Sequence, residues 1–81
     1  MPADEDLVKQ WRQRLDDARH RLDFAQIYVK EVQQDRQLGY VPSPDGDYAY
    51  RRAIRAESEA RVEYLRILRI FTDVLQGKGS R

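Results

Sequence analysis

The chain has 81 residues, 36% of them charged, and a formal net charge of +1 with positive and negative side chains interleaved. A chain this short buries only about 60% of the surface that its unfolded form exposes, and with no cysteine it has neither a disulfide nor a cysteine-based zinc site to compensate. The balanced charge gives no large field to steer nucleic acid, and the longest apolar runs are triplets such as Ile27-Tyr28-Val29, which excludes a membrane-spanning helix.

Residues 1–3 are expected to fray. Asp4, Glu5 and Asp6 then place negative charge where a helix N-terminus stabilises it. This acidic start lacks the charged-then-apolar pattern of a secretory leader, and together with the missing cysteines it points to a cytoplasmic protein. From Val8 the apolar positions run Val8, Trp11, Leu15, Ala18, Leu22, Ala25, Val29, Val32. The spacing alternates three and four without interruption by Pro or Gly, as in a helix with a coiled-coil seam. It predicts a first helix over about residues 4–37, a rod roughly 50 Å long.

A breaker cluster follows over residues 38–46. Gly39 suits the left-handed position after a helix C-terminus, and Pro42 and Pro44 bias the residues before them away from helix. Ser43 reads as an N-cap with Pro44 at the first helical position, Asp45 being the alternative cap, and Asp45 and Asp47 favour the dipole of a second helix. Asp45-Gly46-Asp47 lacks the carboxylate ladder and terminal Glu of a calcium loop.

The second helix is predicted from residue 44–47 to about residue 76, with a seam of Tyr50, Ala53, Glu57, Ala60, Tyr64, Leu68, Phe71 and Leu75; residues 77–81 form a tail. Around Tyr64 the apolar arc is unusually wide. Leu68, Phe71 and Leu75 lie near its centre, with Ile67, Ile70 and Val74 on one flank and Leu65 on the other, for roughly 220° in all. One neighbouring helix does not cover that arc.

A short loop between two long helices makes them antiparallel neighbours. Folding about it sets opposite each other residues whose numbers sum to about 83: Val8 with Leu75, Trp11 with Phe71, Leu15 with Leu68, Ala18 with Tyr64, and a thin waist of Ala25 with Glu57 or Ala60. Helix 1 carries a second apolar set, Phe24, Ile27 and Tyr28, away from its seam. The expected fold is therefore all-α, a long antiparallel helical hairpin dimerising into a four-helix bundle. The expected homodimer interface is Phe24, Ile27, Tyr28, Leu65, Ile67, Ile70, Phe71 and Val74. Docking of a different protein on Phe24 and Ile27, or ordinary scattered exposure, are the other accounts of that surplus.

At the loop end, Tyr40, Tyr48 and Tyr50 with Val41 form an aromatic group, and Arg51, Arg52 and Arg55 follow. Loop aromatics usually pack onto the helix they introduce, but tyrosine and arginine also dominate contact hot spots, so these six are the candidate partner contacts. A nucleic-acid patch here is opposed by Asp45, Asp47, Glu57 and Glu59 around it.

Catalytic chemistry finds little support. His20 is the only His, flanked by Arg19 and Arg21; with the neighbouring Asp16, Asp17 and Asp23 it could bind a metal only if repeated by symmetry, and a solvated surface His is the simpler reading. Glu57 has Arg61 one turn on, a register-setting ion pair, and neither helix contains the Glu-x-x-His repeats of di-metal bundles. The expectation is a small non-enzymatic oligomerisation or adaptor protein, with no cofactor, no metal and no membrane association. A nucleic-acid-associated regulator is the alternative.

Overall fold

The computed structural model describes residues 4–77, and the expectations for a frayed start at 1–3 and a tail beyond residue 77 lie outside them. Two helices, α1 (Glu5–Gln37) and α2 (Asp45–Leu75), pack against each other as an all-helical hairpin. No described helix is long and apolar enough to cross a membrane.

The ends of α1 follow their sequence signals. The Asp4 carboxylate accepts hydrogen bonds from the backbone N–H groups of Asp6 (2.9 Å) and Leu7 (3.3 Å), satisfying two donors of the first turn. At the other end Leu38 is the cap and Gly39 has φ +75°. Gly39 N–H donates to the Arg36 carbonyl and Tyr40 N–H to the Asp35 carbonyl, the paired bonds of a Schellman stop that need a left-handed residue at Gly39. Gly77, φ 74°, takes the same left-handed position after α2, and its N–H donates to the Val74 carbonyl at 3.0 Å.

The start of α2 differs from expectation. Helix begins at Asp45, Pro44 is the cap with no side-chain hydrogen bond, and the Ser43–Pro44 peptide is cis. Ser43 does not cap; its hydroxyl donates to the Asp47 carboxylate at 2.8 Å. The loop instead folds over Gly46, whose N–H donates to the Pro42 carbonyl at 3.0 Å. Gly46 is buried, and a Cβ there would lie 2.5 Å from the Val41 carbonyl oxygen, so the close approach requires glycine.

Three cross-helix contacts define the register. The Arg12 guanidinium lies over the Phe71 ring (5.7 Å) and that of Arg19 over Tyr64 (5.8 Å), while Arg36 Nε pairs with Asp47 Oδ1 at 3.0 Å. In each pair the residue numbers sum to 83, the register that the loop position predicts.

The seam of α1 stands as expected, with Ala18, Leu22 and Val29 buried. That of α2 is rotated in its second half. The buried residues are Ala53, Ile67, Phe71 and Val74, whereas Leu68 is half-buried and Leu75 is 50% exposed. The expected path from Ala60 to Tyr64 to Leu68 takes two consecutive four-residue steps, which carry the stripe about 80° round the helix. The observed path, Ala60 to Tyr64 to Ile67, keeps the alternation of α1 and drifts only about 20° per heptad, which a slight supercoil removes. Two matching heptad stripes stay in contact; a stripe with two fours swings away. Ile67, Phe71 and Val74, expected on the dimer interface, are therefore inside the hairpin at 6%, 7% and 2% exposure, and the Val8–Leu75 and Leu15–Leu68 layers give way to Val74 and Ile67 at those levels.

The product is a rod. Its extents are 58 × 17 × 12 Å and its radius of gyration is 17.6 Å, against about 12 Å for a compact domain of this length. Only seven apolar residues are buried among those described.

Two expectations follow for urea unfolding at fixed protein concentration. Ile67→Ala should cost about 2–5 kcal/mol and Leu75→Ala less than about 1 kcal/mol; the reverse order would restore the seam through Leu68 and Leu75. Gly46→Ala should cost about 1–3 kcal/mol through its collision with the Val41 carbonyl, and an unchanged midpoint would show that the loop is not pinned there.

Candidate interaction surfaces

The seam between the helices decides which apolar residues are left outside. On one flank, Arg21, Phe24, Ala25, Tyr28, Ala56 and Ala60 line an open groove of about 440 Å³. Phe24 and Tyr28 stand one turn apart on α1, and Ala56 and Ala60 one turn apart on α2, so a high ridge borders a low shelf. Phe24 is 76% exposed, the most exposed of the large apolar side chains described. Toward the chain ends Arg21 also borders a charged cleft with Asp17, Glu63 and Arg66, and toward the loop Ala56 also borders a hollow with Arg52 and Glu59. The flank is continuous along the hairpin.

Electrostatics on this flank are paired. Arg66 Nη2 lies 2.6 Å from Glu63 Oε1, and its Nε donates to Oε2 at 3.1 Å. The Arg66 hydrogen bonds hold the Glu63 carboxyl below the usual carboxylate range; partial desolvation opposes this, and the charges of Arg66 and Arg21 reinforce it. Both groups are solvated, so the pair is worth little to folding and more as a fixed charge pattern.

On the far side of α2, roughly 120–180° from Glu63, Leu65, Leu68, Thr72 and Leu75 make a second stripe. Leu65 is 55% exposed, and the Thr72 hydroxyl donates to the Leu68 carbonyl at 2.8 Å. The expected single interface is thus divided. Phe24, Ile27 and Tyr28 are exposed on α1, with Phe24 and Tyr28 on the groove flank; Leu65 faces the other way; Ile70 is half-buried.

At the loop end the structure gathers Tyr48, Arg51, Arg52 and Arg55 around one hollow, with the Arg52 guanidinium 5.9 Å from the Tyr48 ring centre. Tyr50 is not among them. It is half-buried beneath Arg36, 5.0 Å from its ring centre, and so fills the expected structural role of a loop aromatic. Tyr40 is exposed beyond the Schellman stop. Of the acidic neighbours, Asp47 is engaged by Arg36 and Ser43, and Glu57 by Arg61 at 2.6 Å, whereas Glu59 lies beside Arg52 and Arg55.

Glu57 sits on the seam with its side chain 20% exposed, and His20 is exposed. No group of three or more His, Cys, Asp or Glu residues is placed to hold a metal among the described residues. Comparison of the chain with protein-family models, curated proteins and solved structures gives no match.

Ala56 and Arg66 were not singled out by the sequence pattern, Ala60 was expected only on the seam, and Arg21 was noted only beside His20. Their signal was a pair of alanines one turn apart that the hairpin register sets level with Phe24 and Tyr28.

Glu63 is expected to titrate below an ordinary glutamate, and Arg66→Ala to move its midpoint upward, as read by NMR of the carboxyl carbon. Because the folded-state value is depressed, its small contribution to stability is present above the unfolded value and is lost as pH falls through the folded one. An unmoved midpoint in Arg66→Ala would show that this contact does not control Glu63.

Proposed function

We propose that the chain is a small non-enzymatic oligomerisation and adaptor protein, acting through protein–protein contacts of a helical bundle whose basic unit is a homodimer. One observation carries this reading: a thin two-helix rod buries few apolar residues while leaving Phe24, Ile27, Tyr28, Val62 and Leu65 exposed. Isolated apolar side chains on a surface are ordinary, but clustered ones beside a groove characterise a contact surface. The two-helix core is also small for independent stability, and association is a common way for short chains to supplement it.

Light scattering and circular dichroism over a dilution series test the proposal. The expected result is a dimer whose helical signal falls as it dissociates. A compact monomer that keeps full helicity at every concentration would remove the self-association on which the reading rests.

The gathering of Tyr48, Arg51, Arg52 and Arg55 supports the second reading, a nucleic-acid-associated regulator, since none of the three arginines is in an ion pair among the described residues. On this reading binding of RNA or DNA weakens steeply with salt, and the triple Arg→Ala variant at positions 51, 52 and 55 lowers the slope of log K against log salt by roughly 2–3. Absence of binding to both at about 50 mM salt would dispose of it.

A further inference from the structure

Resting on the dimer reading, we infer that the groove of Phe24, Tyr28, Ala56 and Ala60 is the interface, and that its occupant is the same ridge of a second copy related by a two-fold axis parallel to the helices. The inference comes from the asymmetry of this flank. Its large side chains, Arg21, Phe24 and Tyr28, are all on α1, while both of its α2 residues, Ala56 and Ala60, are small, and the hairpin register sets them at the same height: Phe24 is level with residue 59 and Tyr28 with residue 55. A two-fold interface brings a patch onto itself, so the patch must be complementary to its own rotated image.

Two in-plane axes are available. An axis perpendicular to the helices would lay α1 on α1 and α2 on α2, setting Phe24 against the partner's Tyr28 and the alanine shelf against another shelf. The ridges would then hold the helices apart and leave a void over the alanines, with the lost contacts that a void brings. An axis along the helices lays α1 on the partner's α2 at equal height. Phe24 then enters the shelf of the partner's Ala56 and the partner's Ala60, and the reciprocal contact forms on the other side. Ridge meets shelf twice.

Charge is compatible with the same axis. Under it Asp17 is level with the partner's Arg66, Arg21 with the space between the partner's Glu59 and the partner's Glu63, and Glu31 with the partner's Arg52. All three levels bring opposite signs together, and the Glu63–Arg66 ion pair already fixes part of the pattern within one chain. Under the perpendicular axis through the groove, Asp17 would face the partner's Asp35 but Arg21 would face the partner's Glu31, so charge suits a second copy and the ridge and shelf select the axis. The parallel arrangement is a four-helix bundle of antiparallel neighbours with both loops at one end.

Three measurements test this on the full chain. Phe24→Ala and Ala56→Trp both change exposed positions, so the hairpin remains folded by circular dichroism, and each is expected to weaken dimerisation at least tenfold in sedimentation. Leu65→Ala, on the opposite stripe, is expected to leave the association constant within about twofold, as a surface change away from the contact should. Orientation is read from spin labels on Gln10→Cys, which is the only thiol in the chain. The parallel axis places the two labels on the order of 20–25 Å apart, whereas the perpendicular axis separates them by about 50 Å, twice the rise from residue 10 to the groove centre. A dimer indifferent to both groove variants, or one with the long distance, overturns this interface while leaving self-association standing; a wild-type chain that is monomeric throughout overturns both.

Discussion

The structure depends on one contact, the seam between two helices whose apolar residues keep the same three-and-four alternation. Because both stripes drift by the same small angle per heptad, they face each other along the 58 Å rod. The antiparallel register that follows sets the levels of everything else: Arg12 over Phe71, Arg19 over Tyr64 and Arg36 on Asp47. Stops at each end hold the pattern, through the Asp4 cap, the Schellman turn at Gly39 and the loop pressed onto Gly46.

The same contact sets the limit of the fold. Two helices make one seam, and one seam buries a single stripe on each. Among the described residues it takes Ala18, Leu22 and Val29 from α1 and Ala53, Ile67, Phe71 and Val74 from α2, two of the seven being alanine. What remains outside is sorted by helix geometry. Phe24 and Tyr28 border the alanines on one flank, Leu65 and Leu75 lie on another, and Tyr48 with three arginines lies at the loop end. The proposed function rests on that sorted surface.

Local signals made much of this legible from the residues. Helix positions, the left-handed turn at Gly39 and the register came from periodicity and breaker placement, where a few residues decide the outcome. The second half of α2 did not. Its apolar arc is wide enough for two stripes, Leu68 with Leu75 or Ile67 with Val74, and hydropathy alone gives both the same weight. Only the partner helix decides, because the chosen stripe must drift with that of α1. That choice moved Ile67 and Val74 from the expected outer surface to the core, kept Phe71 on the seam where it was also expected, and left Leu65 on a flank separate from Phe24. The role of Gly46 was hidden for a similar reason, since the Val41 carbonyl that excludes a side chain there approaches through the folded loop. Ala56 gave no signal alone and Ala60 read only as a seam position; together they form a shelf level with a ridge on the other helix.

The central claim is that the rod is covered sideways by a second rod, and small-angle scattering of the wild-type chain tests it most directly. The account predicts a particle of twice the chain mass whose greatest dimension stays close to the 58 Å of the single hairpin. A particle of single-chain mass, or one of doubled mass and nearly doubled length, would contradict it.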